Sequence, residues 1–215
     1  MEKLENYISK EEISQPRSPK DFIDWFEEKL EITKKLREKL EMQNILHRGR
    51  AKIFYEELFP LYRLLQNKRK DWRSAKLTPI IGNQNYDVEV KTCRTDVPKY
   101  IEITITDMDE KAIARWKSFA SGQGDTGLSG FADELYRQGI DKIKRAIEQK
   151  VKKGKRPDNT ALLVYIDDYE IFPYFKEEPK KEIDSFLCLL DIQWQSKFKF
   201  LYLVGISGNS FWERH

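Results

Sequence analysis

The sequence predicts an α/β domain built on a mixed sheet with helices against its faces. Three observations predict it. Short alternating runs at 77–81, 86–91 and 100–106 follow one another with brief polar connections, the pattern of an antiparallel meander. A long amphipathic segment then covers roughly 131–153. It leads into 161–166, a nearly continuous apolar run of the kind buried on both faces of a sheet. Strands followed by a crossover helix and a buried strand imply parallel pairing in a sheet that also has antiparallel members.

Taken in order, residues 1–18 are polar, and Ser18-Pro19-Lys20-Asp21 reads as an N-cap with proline at the first helical position. Phe22, Trp25, Phe26, Leu30, Ile32, Leu36 and Leu40 recur at three-to-four spacing, which predicts an amphipathic helix over 19–43. An arm, a lid and a dimerisation element all fit this helix, and the sequence leaves the three open. A second helix is expected over 50–65, striped by Ile53, Phe54, Leu58, Leu61 and Leu64, with a kink or break near Phe59 because Pro60 lies inside it. The period then changes to two. Residues 82–85 make a turn between the first two strands. A short helix containing Trp116 is expected over 107–119, and 121–130 is a Gly/Ser-rich connection without the GK[ST] ending of a phosphate-binding loop. Ile140, Ile143, Ile147 and Val151 stripe the long helix, which Gly154 stops. A further helix fits 177–190, the last strand is expected over 198–206, and 208–215 reads as a tail.

The chain has 215 residues, with 40% hydrophobic and 13% aromatic side chains, enough for one substantial domain plus an appendage. Residues 1–49 form the expected N-terminal helical extension and 50–215 the domain. The net charge of +3 says little, but 137–156 holds nine Lys/Arg against two acids, a concentration that attracts phosphate backbones when it is more than a solvated helix face. Cys93 and Cys188 form no CxxC spacing and read as reduced thiols of a cytoplasmic protein. No apolar leader opens the sequence and no run approaches the length of a membrane span, so no membrane association is expected. The two histidines, His47 and His215, exclude a locally built HExxH zinc site.

The chemistry is carried by two strands. Alternation places Glu102 and Thr104 on one face of 100–106, with Ile101, Ile103 and Ile105 on the other, and it separates Asp87 and Glu89 from Tyr86, Val88 and Val90. If the strands are antiparallel neighbours, Asp87 and Glu102 can converge on one divalent ion. Carboxylate oxygens, a strand carbonyl and waters suit Mg²⁺ or Mn²⁺. Each acid, taken singly, also fits an exposed strand face. Glu89 reads as an exposed partner for Lys91 or a cross-strand lysine, and Asp167-Asp168 as a turn signal; a helix acid near the ion, Glu56 or Glu57, is the less favoured reading of that pair.

Asp87, the strand "IEITIT", the helix "GIDKIKRAIEQKVKKGK" and the strand "NTALLVYID" together resemble the restriction-endonuclease-like, or PD-(D/E)XK, nuclease superfamily over about residues 50–206. The resemblance implies an αβββαβ core and a nuclease acting on DNA, with RNA the less favoured substrate. It assigns metal ligation to Asp87, Glu102 and the Ile103 carbonyl. The family pattern has lysine where this chain has Thr104, which brings a hydroxyl but no charge. Lys150 or Lys144, flanking the helix stripe, can supply the missing cation, and Lys150 is favoured because it lies three residues beyond Ile147. Gln138 is a further polar candidate near the helix start. Lys142, Arg145, Lys152 and Lys153 are the expected phosphate contacts. The other outcome is a silent site, in a nucleic-acid-binding or protein-interaction module, and a homodimer through the N-terminal helix is also open.

Overall fold

In the computed structural model, the residues described are 7–36, 49–82, 84–106, 132–168, 185, 194–208 and 210–215. The expected helix at 107–119, all of the one at 177–190 except residue 185, the 121–130 connection, residues 37–43 of the first helix and His47 lie outside them.

Among the described residues, six strands form one open mixed sheet whose spatial order is the chain order. They are β1 (Lys76–Pro79), β2 (Val88–Lys91), β3 (Tyr100–Ile105), β4 (Thr160–Ile166), β5 (Phe200–Gly205) and β6 (Phe211–Arg214). β1, β2 and β3 pair antiparallel, β3, β4 and β5 pair parallel, and β6 returns antiparallel to β5. The expected meander and the parallel crossover are both present. The expected tail at 208–215 is not. Gly208, at φ 79°, turns the chain, and Phe211–Arg214 then pairs with Leu201–Val204 as an edge strand.

Side-chain alternation divides the core into two layers. Ile101, Ile103, Ala161, Leu163 and Tyr165 face one cluster, together with Phe22 and Phe26 of α2 (Pro19–Leu36) and Leu61, Leu64 and Leu65 of α4 (Phe59–Lys68). Leu162, Val164 and Ile166 face the other, against Ile143, Ala146 and Ile147 of the long helix α5 (Ala132–Lys152). β4 is buried at every position, as its unbroken apolar run requires. No helix among the described residues is long and apolar enough to cross a membrane.

The N-terminal segment is packed into the first layer. Ser18 caps α2, its Oγ accepting from the Asp21 N–H at 3.2 Å. Phe26 stacks on Phe54 at 4.6 Å and on Tyr62 at 4.9 Å between ring centroids. The polar start of the chain hides α1 (Lys10–Ile13), a single turn whose Ile13 is buried. Arg17 and Leu77 exchange backbone hydrogen bonds of 2.9 and 2.8 Å, so the outer edge of β1 has a partner there.

Pro60 acts one turn earlier than a simple kink. Following α3 (Gly49–Lys52), the helix widens to a π-helical stretch, Ile53–Leu58, in which the Phe59 N–H reaches back five residues to the Phe54 carbonyl. Proline offers no N–H and its ring crowds the preceding turn. Widening that turn absorbs both defects before α4 resumes the regular winding.

Candidate metal and nuclease site

The site lies where β2 stops pairing with β3. Their register ends at Val88↔Ile101, one residue short of Asp87. The Asp87 N–H still donates to the Ile101 carbonyl at 2.8 Å. Beyond that point β3 keeps β4 on one side but has no β2 residue paired on the other, and the Asp87 carboxylate takes the place of that backbone: Oδ2 accepts from the Ile103 N–H at 2.6 Å. Asp87 thus turns toward the middle of β3, next to the residue that follows Glu102.

Glu102 is buried, on the face of β3 opposite the Ile101 and Ile103 side chains. Two cations reach it. Lys150, in the last turn of α5, places Nζ 2.9 Å from Glu102 Oε1 and 3.1 Å from the Ile103 carbonyl oxygen. Arg156, just past the helix, donates through Nε to Oε2 and through Nη2 to Oε1, the latter at 3.2 Å. Its guanidinium also donates to the carbonyls of Lys150, Lys153 and Gly154, and it lies 4.6 Å from the centroid of the Phe198 ring. One side chain therefore satisfies the open carbonyls at the helix end and holds the carboxylate.

The opposite side of Asp87 is acidic. Glu57, in the π-helical stretch, is pushed up to about 7, first by burial and then by the facing Asp87, with Lys52 and Lys150 acting the other way. Burial also raises Asp87, against the downward pull of the Ile103 N–H and of Lys150, while Glu102 adds to the rise. Among the described residues Glu57 has no hydrogen bond or ion pair, and Asp87 Oδ1 has none either. Two carboxyls that act on each other in a partly buried place, with a free oxygen on one of them, form a donor set of the hard-oxygen kind that suits a divalent cation. Asp87, Glu102, the Ile103 carbonyl and Glu57 fit Mg²⁺ or Mn²⁺ in donor chemistry. No group of three or more His, Cys, Asp or Glu is already arranged around an ion position among the described residues, and Glu102 is paired with Lys150 and Arg156.

The structure brings together Asp87, Glu102, Ile103 and Lys150. It leaves Lys144 exposed on α5, and Thr104 half-buried. Arg145, Lys152 and Lys153 are exposed and Lys142 is half-buried. Of the four, Lys153 is near enough to Asp87 to lower its pKa, whereas the Arg145 Nε donates to the Asp141 carbonyl at 3.3 Å. Gln138 is exposed near the far end of α5. Glu56 pairs with Lys52 at 4.0 Å, so Glu57 is the glutamate of that pair that turns to the site. Glu89 stands opposite Thr78 and Tyr100 rather than a lysine.

Two features escaped the sequence reading. Asp168, taken as a turn signal, is buried and accepts from the Ser207 N–H at 2.9 Å and from its hydroxyl, tying the ends of β4 and β5 together. Arg156 stood in the sequence only as one charge of a basic run, and no local pattern joins it to Glu102. Comparison with protein-family models, with curated proteins and with solved structures finds no match for this chain.

Proposed function

We propose that the protein is a divalent-metal-dependent nuclease hydrolysing phosphodiester bonds in DNA on a restriction-endonuclease-like fold. The observation that supports the reading best is the convergence on β3 of Asp87, Glu102 and the Lys150 ammonium. Order of elements adds to it: a helix, a three-stranded meander, a crossover helix and a buried parallel strand. In this reading Asp87, Glu102 and the Ile103 carbonyl hold the ion, with Glu57 beside them. Lys150 supplies the positive charge that Thr104 lacks. A bound divalent ion would contribute Lewis acidity and a water of lowered pKa. The chain's own part is to fix the carboxylates on a rigid strand, to bring the Lys150 ammonium to the reacting phosphate, and to draw the backbone toward the site with Lys152 and Lys153. The free thiol of Cys93 suits a cytoplasmic setting.

Calorimetry with Mn²⁺ on the wild type, Asp87→Ala and Glu102→Ala tests the metal site, and a nuclease assay with Lys150→Ala tests the chemistry. Binding lost in both carboxylate variants and cleavage lost in Lys150→Ala support the reading. Absence of Mn²⁺ binding by the wild type, with and without DNA, removes it.

One observation favours a second reading. Glu102 has both oxygens engaged by Arg156 and Lys150, which is also how a carboxylate is retired into a structural ion pair. The chain would then be a nucleic-acid-binding module without turnover. The N-terminal helix gives less support to a homodimer, because Phe22, Ile23 and Phe26 are buried within the chain itself.

A further inference from the structure

The Lys150 ammonium bridges Glu102 Oε1 and the Ile103 carbonyl at 2.9 and 3.1 Å. Those are two of the three ligands in the metal reading, and the third, Asp87, receives the Ile103 N–H from the same residue. A cation already stands between the oxygens that would hold a cation. We infer that Lys150 is an internal placeholder: its ammonium stands at the cation position of the site, and a divalent ion binds by displacing it. The inference rests on the metal reading above.

The two cations on Glu102 differ in their freedom. Arg156 is held by three backbone carbonyls and by the Phe198 ring, and its side chain is 3% exposed. It cannot leave without undoing the end of α5. Lys150 is 16% exposed, sits on a flexible four-carbon stem, and among the described residues its ammonium bonds to the two ligand oxygens alone. Displacement therefore falls to Lys150. Once moved aside, the ammonium stays within reach of the site on the same helix turn, free to meet a phosphate oxygen. The placeholder and the phosphate-facing cation are then one residue in two positions. The same ammonium, with Arg156, keeps the buried Glu102 paired, which matters because an unpaired carboxylate in this place would be costly.

The test compares Mn²⁺ affinity of the wild type and Lys150→Met by calorimetry, with Asp87→Ala as the site control. Lys150→Met is expected to bind roughly tenfold more tightly, because the ion no longer competes with a charge-assisted hydrogen bond. Removing any nearby positive charge raises metal affinity somewhat, and the variant must fold, so a second measurement uses the wild-type protein alone. Lysine acetylation by an N-hydroxysuccinimide ester is followed by peptide mass spectrometry with and without saturating Mn²⁺. The Lys150 rate is expected to rise severalfold as the ammonium loses its partners, with exposed Lys144 unchanged as the internal standard. Equal or weaker binding by Lys150→Met, or a Lys150 rate that does not rise with Mn²⁺, overturns the inference. If Asp87→Ala abolishes wild-type binding while Lys150→Met binds no more tightly, the metal site stands and the placeholder alone falls. If neither the wild type nor Lys150→Met binds Mn²⁺, both fall together.

Discussion

Arg156 holds Glu102 by two nitrogens against two oxygens, in a contact where the side chains are only 3% and 7% exposed. Removing one member of such a pair leaves the other charged, buried and short of partners. Arg156→Ala is expected to destabilise the fold by roughly 3–5 kcal/mol. Glu102→Gln, which keeps an acceptor for the guanidinium, should cost less than Arg156→Ala. Urea denaturation of the two single variants and the double variant measures this, and additive losses would show that the two side chains are not coupled.

Glu57 sets a pH dependence in metal-free protein. Its folded pKa, about 7, stands above the ordinary value of 4.5, so the folded state binds the proton more tightly than the unfolded state. Its contribution to stability is fully present below about 4.5 and is lost as the pH rises through about 7. Asp87 is shifted in the same direction and adds to the fall at the acidic end. Melting temperatures of the wild type in chelator should therefore drop across this window relative to Glu57→Gln, and parallel profiles would contradict the placement of Glu57 against Asp87.

Phe26 fastens the N-terminal helix to the sheet layer. It is fully buried and stacked on Phe54 and Tyr62. Phe26→Ala should cost about 3–5 kcal/mol of global stability, read from denaturant unfolding. A loss confined to fraying of residues 7–36, with the sheet unaffected, would mean that α2 behaves as a separate arm.

Gly205 has a steric reason. A β-carbon there would run into the Asp168 carboxylate and approach the Ser210 β-carbon to 2.9 Å. Gly205→Ala is expected to destabilise by about 1–3 kcal/mol, and the double variant with Asp168→Ala by less than the sum of the two single losses. Strict additivity in thermal melts would argue against the contact.

The basic residues of α5 are expected to divide by position. Lys153 already acts on Asp87, with Lys152 its exposed neighbour at the helix end; Arg145 lies further back along the helix. In duplex binding, each phosphate contact contributes about 0.9 to the slope of log affinity against log salt. Replacing Lys152 and Lys153 by alanine should flatten that slope by roughly two contacts, and Arg145→Ala by at most one. Fluorescence anisotropy over a salt series measures it, and an unchanged slope in the Lys152/Lys153 variant would remove these residues from the interface.

The regular parts of this fold were legible because they repeat. Ile101, Ile103 and Ile105 alternate with Glu102 and Thr104, and that alone puts Glu102 on the face away from the isoleucines; that α5 covers this face is seen only in the folded chain. The three-residue step from Ile147 to Lys150 singled out Lys150 over Lys144 for the same reason. What stayed hidden lacked a period or a local partner. β6 is four residues long, too short to show alternation beside its turn. Glu56 and Glu57 could not be separated, because the π-helical stretch departs from the 3.6-residue winding at that point and changes which neighbour faces inward. Arg156 meets a glutamate on a strand that precedes it by a whole crossover, a pairing that tertiary structure alone creates.

The sheet's spatial order repeats the order of the chain, and this has a kinetic consequence. β1, β2 and β3 are joined by short connections and can pair while the rest of the chain is still open, because little loop entropy is lost. The parallel pairings of β3 with β4 and of β4 with β5 close much longer loops and must come later. Each strand nevertheless docks onto an edge that has just been laid down, so assembly can proceed in one direction without any strand having to insert between two that are already joined.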